Sequence, residues 1–98
     1  MADKQLSFFD VWTEFYNGQA KWELTSIEKS VFYELLGKWN SLGRPNEFKV
    51  TGHEMEILTG HSIKTVRLAE DKLMKLGVIE IEKGRVGRIA RKIKWVVK

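Results

Sequence analysis

The sequence contains no cysteine and a single proline, Pro45. Without thiols there is no disulfide framework and no thiolate metal site. No apolar run approaches the roughly 20 residues of a membrane span, and Met1 is not followed by a signal-peptide pattern. The chain is therefore expected to be intracellular and cytoplasmic, with no membrane partner. Acidic residues are absent from the last stretch, where residues 83–98 hold Lys83, Arg85, Arg88, Arg91, Lys92, Lys94 and Lys98. Residues 1–82 carry 10 basic and 13 acidic side chains, so the net +4 comes entirely from the end of the chain. A basic block of this kind is either a solvated tail or a footprint for a polyanion.

Motifs for catalysis are also missing. There is no Walker-type glycine loop and no Ser/His/Asp set on a recognisable elbow. The only histidines, His53 and His61, lie eight residues apart across a turn, which matches no familiar metal-ligand spacing. Gly84-Arg85-Val86-Gly87 shares letters with the GXXG of KH domains, but lies between strand patterns, not helices. No enzyme activity, cofactor or metal is expected.

The 98 residues suffice for one compact domain, and 43% are hydrophobic. Phe8, Trp12, Phe15 and Tyr16, with Phe9 and Val11, mark an amphipathic helix that the pattern stops near Asn17-Gly18, with AKWEL as a connector. Thr25 and Glu28 have capping-box spacing and open a helix whose stripe is Ile27, Val31, Leu35 and Trp39. Gly43 and Pro45 end it, and 47–50 reads as a short strand. Thr51 and Glu54 repeat the box and open a short helix, with Met55, Leu58 and Ile57 expected to be buried. Thr59-Gly60 breaks it. Ser62 caps a further helix with Val66, Ala69, Leu73 and Leu76 on one face, ended at Gly77.

The period then changes from helical to alternating. VIEIEK and RIARKIKWVV flank Gly84 to Gly87 and read as a β-hairpin, with Ile89, Ile93, Trp95 and Val97 on its apolar side. Arg91 shares their parity; it lies either beyond the core edge or at a bulge. The expected class is α+β, mainly α. It is a winged helix-turn-helix, a three-helix core plus a C-terminal β-hairpin wing, with an extra N-terminal helix. Residues 1–23 form that extension and 24–98 the main domain.

From Leu24 to about Trp95 the sequence resembles the winged-helix domains of phage and plasmid replication initiators and DnaD-type primosomal proteins. The phrases that carry the resemblance are Thr51 with Glu54 to Gly60, Ser62 to Val66, and Lys72 to Ile79. His61 departs from the family, which usually has an apolar turn residue there. The resemblance implies double-stranded DNA binding and a role in initiating replication alongside other replication proteins. A small transcriptional regulator and a protein–protein winged helix are the alternatives.

In a helix-turn-helix, the second helix enters the major groove with its N-terminal residues at the base edges. Here that helix is 62–76. Its candidate contacts are Ser62, Lys64, Thr65 and Arg67, with Ile63 and Asp71 also turned outward. Lys64 and Arg67 suit phosphate or guanine, and Ser62 with the first-turn N–H groups suits phosphate. No acid is expected in that first turn. Ile63 and Leu68 are candidates for a thymine methyl or for packing under the N-terminal helix. In the basic wing, 83–94, the candidates are Lys83, Arg85, Arg88, Lys92 and Lys94, against a bland role for lysine in keeping an edge strand soluble. The aromatic N-terminal helix is a candidate homodimer element, as the resemblance also implies.

Overall fold

A computed structural model describes residues 7–82 and 91–96. Four helices, α1 (Phe8–Trp22), α2 (Ser26–Ser41), α3 (Gly52–Thr59) and α4 (Ile63–Lys75), accompany three strands, β1 (Phe48–Val50), β2 (Ile79–Glu82) and β3 (Arg91–Trp95). The sheet is antiparallel in the order β1-β3-β2. The fold is α+β and mainly α. Among the described residues no helix is long and apolar enough to cross a membrane.

The helix starts follow the cap chemistry. Thr25 and Thr51 each accept from the backbone N–H three residues on, and Glu28 and Glu54 accept in return from the cap N–H. Each reciprocal pair satisfies donors that a helix start leaves free. After α2, Trp39 Nε1 donates to the Pro45 carbonyl at 2.8 Å, folding the chain back toward β1. Lys38 Nζ meets Glu54 Oε2 at 2.7 Å and ties α2 to α3.

The first helix is longer than the sequence pattern suggested. It passes through Asn17-Gly18 and ends at Trp22, with Glu23 left-handed at the cap. Gly18 is buried, and a Cβ there would lie 2.3 Å from the Trp22 ring, one turn further on. The glycine is a seat for the indole, not a stop. Val11 and Phe15 join the core of the main domain, where Phe15 stacks on Phe32. Phe9 and Tyr16 remain exposed, and Trp12 stacks on Tyr16 with ring centroids 4.9 Å apart.

The core is built from Val31, Phe32, Leu35, Leu36 and Trp39 of α2, Met55 of α3, Val66, Ala69 and Leu73 of α4, and the inner face of the sheet. Ile57 and Leu58 are not in it; Ile57 is 69% exposed. The helix buries Gly52 and Met55 against α2 and α4, and these two residues lie outside that face.

Arg91 settles its parity problem in a third way. Val50 pairs with Arg91, and Phe48 with Ile93, in unbroken register, so there is no bulge among the described residues of β3. The side chain is buried on the core face, where Arg91 Nη1 donates to Glu70 Oε1 of α4. These are the only buried charges among the described residues.

Candidate nucleic-acid interface

The helix-to-helix turn is held by its own polar groups. Gly60 caps α3 with φ 75°, its N–H donating to the Glu56 carbonyl at 2.8 Å. That left-handed backbone favours glycine. Thr59 Oγ1 donates to the Met55 carbonyl at 2.7 Å and accepts from the His61 N–H at 3.1 Å. Ser62 then caps α4: its Oγ accepts from the Thr65 N–H at 3.3 Å and lies 3.0 Å from Thr65 Oγ1. Ser62 is exposed and Thr65 half-buried, so Thr65 serves the cap more than the surface.

One side of α4 is committed to the core by Val66, Ala69, Glu70 and Leu73. At 100° per residue the opposite side presents Lys64, Leu68, Asp71 and Lys75, with Arg67 and Lys72 at its edges. Lys64, Arg67 and Lys75 are exposed, and none of these cations, nor Lys72, makes an ion pair among the described residues. Leu68 is 65% exposed, which rules out packing beneath α1. Ile63 does not point away as expected. It is half-buried over the start of α3, where a Cβ on Gly52 would stand 3.3 Å from its Cγ2.

The first turn of α4 is not free of acid in space. Glu56 reaches across from α3, and its Oε2 accepts from the Ile63 N–H at 3.3 Å. Its Oε1 lies 3.6 Å from His53 Nδ1. A carboxylate thus sits where a phosphate would meet the helix dipole. No local pattern signals this, because Glu56 is seven residues from Ile63 and arrives only through the turn.

The outer face of the sheet sets its lysines beside acids. Lys94 lies directly opposite Glu80, and Lys92 opposite Glu82. Lys92 Nζ is 3.9 Å from Glu47 and 4.0 Å from Glu82. With Lys49 on the same face, three lysines meet three glutamates, Glu47, Glu80 and Glu82. Lys92 and Lys94 are therefore charge-compensated. Lys83, Arg85 and Arg88, and the turn expected at 84–87, lie outside the described residues.

Two carboxyls depart from ordinary behaviour. The Lys38 ammonium holds Glu54 below the usual carboxylate range. Burial pushes Glu70 above it, and the Arg91 and Arg67 charges offset this only in part. Among the described residues no cluster of His, Asp and Glu is arranged to hold a metal. No protein-family model, curated protein or solved structure matches the chain.

Proposed function

We propose that the protein binds double-stranded DNA as a winged helix, with α4 as the recognition helix and residues 83–94 as a basic wing, in the initiation of DNA replication. One observation carries the proposal: the outward face of α4 offers Lys64, Arg67, Lys72 and Lys75 with no carboxylate paired to them among the described residues. Unpaired cations on one helix face exchange counterions for phosphates at little desolvation cost. Lys64 and Arg67, nearest the N-terminus of α4, meet the base edges, and Leu68, which is exposed, meets a thymine methyl. Arg85 and Arg88 supply the wing contacts, and the replication role rests on the resemblance of Thr51 to Ile79. A second copy joins through the exposed Phe9 and Tyr16 of α1, with half-buried Trp12 between them.

A protein–protein role for the same fold is favoured by one feature, the exposed Ile57 and Leu58 on α3. Duplex titration decides between them. DNA binding requires log affinity to fall linearly with log salt, by about 0.9 per phosphate contact. An Arg85→Ala/Arg88→Ala variant should show a shallower slope. Absence of binding at about 50 mM salt, where such contacts are strong, leaves the protein–protein role.

A further inference from the structure

Asp71 is the one acid on the outward side of α4, and the fold gives it no partner. Arg67 stands one turn before it and Lys75 one turn after, at spacings that favour ion pairs on a helix. No pair forms with either, nor with Lys64 or Lys72, and the carboxylate accepts no hydrogen bond among the described residues. The side chain is half-buried all the same. It also repels the buried Glu70 beside it, adding to the rise of that carboxyl's pKa. For stability alone, a neutral residue is better here. On a face turned to DNA, an unpaired acid repels phosphates as well.

Its place on that face is explained by what a carboxylate reads on a base. At 100° and 1.5 Å per residue, Asp71 lies within about 20° of Lys64 around α4 and about 10.5 Å further along the axis. Leu68 sits between them, about 4.5 Å before Asp71. All three lie opposite the buried Val66, Ala69 and Leu73. Bases step by about 3.4 Å, so a helix laid in the major groove sets Asp71 about three base pairs from the base met by Lys64. A carboxylate only accepts. Guanine presents the acceptors N7 and O6, and thymine an acceptor and a methyl. Adenine offers its N6 amino group with the N7 acceptor beside it. Cytosine alone offers an amino donor, N4, with no acceptor next to it.

We propose that Asp71 is a specificity-determining residue that selects cytosine, about three base pairs beyond the guanine read by Lys64 or Arg67. Such selection rests on the duplex binding proposed above, and adds to it a base that the cations do not choose. The acid weakens phosphate affinity overall and supplies discrimination. Every duplex that lacks an amino group at that place meets an unpaired carboxylate.

The test is selection from a randomised duplex pool by the whole chain, with sequencing of the bound fraction. The parent should enrich one cytosine position over the other bases by about fivefold or more, the lower end for one base read in the major groove. Asp71→Asn should move that position to adenine, because a carboxamide pairs with N6 and N7, and Asp71→Ala should leave it without preference. The guanine positions should persist in both and be lost in Lys64→Ala/Arg67→Ala. Neither Asp71 substitution removes a hydrogen bond or ion pair among the described residues, so both variants should keep the parental helix content by circular dichroism. An unchanged base profile in Asp71→Asn, with every duplex bound more tightly by a common factor, overturns the proposal and leaves Asp71 only a repelling charge. A parent profile with guanine but no cytosine overturns it too, while DNA binding stands. A parent that enriches no duplex at about 50 mM salt removes the proposed function, and cytosine selection with it.

Discussion

The outer face of α4 and the outer face of the sheet are both rich in lysine, yet they are electrostatically unlike. On the sheet, Lys49, Lys92 and Lys94 lie among Glu47, Glu80 and Glu82, with Lys94 and Lys92 directly across the strands from Glu80 and Glu82. On α4, Lys64, Arg67, Lys72 and Lys75 have only Asp71 on the same exposed side, and it forms no ion pair with them. Counting charges along the chain ranks the two the other way, since the last sixteen residues hold seven basic groups and no acid. The acids that neutralise β3 come from β2 and from the approach to β1. What matters to a polyanion is the charge left after folding has paired the strands.

The inner sides of the same two elements meet at Glu70 and Arg91, and breaking that junction has the largest effect. Arg91→Met alone leaves Glu70 buried without its cation and should cost about 3–5 kcal/mol in urea unfolding. Next, Lys64→Ala/Arg67→Ala should weaken duplex binding by about 1–3 kcal/mol for each base edge no longer read, with stability unchanged. Removing the cap in Thr51→Ala should destabilise by about 1 kcal/mol, because the Glu54 N–H is deprived of its acceptor. Glu56→Gln removes the negative charge at the start of α4 but keeps an acceptor for the Ile63 N–H. Duplex affinity should rise by a factor of about 2–5, the size of a single helix-end charge effect. The smallest change belongs to the sheet: Lys92→Ala/Lys94→Ala should alter stability by less than about 1 kcal/mol, as exposed pairs do.

Acid titration separates the two ion pairs by sign. Glu54 has a lowered value in the fold, so its contribution is present above the ordinary carboxylate range and is lost as pH falls through the folded value. Glu70 has a raised value, so its contribution is fully present below the ordinary range and is lost as pH rises through the folded value. Stability against pH in Glu54→Gln should therefore lose part of its fall on the acid side, and in Glu70→Gln part of its fall on the alkaline side of the carboxylate range.

Local chemistry made much of the fold legible. Thr25 with Glu28, Thr51 with Glu54, and Ser62 are caps that act within three residues, and all three open helices where their spacing indicates. The alternation of 79–82 and 91–95 likewise appears as paired strands. What was hidden depends on packing between distant residues. Gly18 looks like a terminator until Trp22 is seen to occupy the space of its missing Cβ. Arg91 looks misplaced until Glu70, twenty-one residues away, is found beside it. Ile57 and Leu58 look like core because they are apolar, but α3 offers only one side to the domain. In the candidate interface, the exposed positions of Lys64 and Arg67 were readable from helical period, whereas the Glu56 carboxylate and the compensation of Lys92 and Lys94 were not.

The most direct measurement compares the salt dependence of duplex binding in the parent, in Lys64→Ala/Arg67→Ala and in Lys92→Ala/Lys94→Ala. If α4 carries the free cations, the log–log slope becomes shallower by about 0.9 for each phosphate that the helix variant no longer neutralises. The slope of the sheet variant stays at the parental value, because those lysines already have carboxylate neighbours. A slope that flattens in the sheet variant and not in the helix variant would contradict the assignment of α4 as the DNA-binding face.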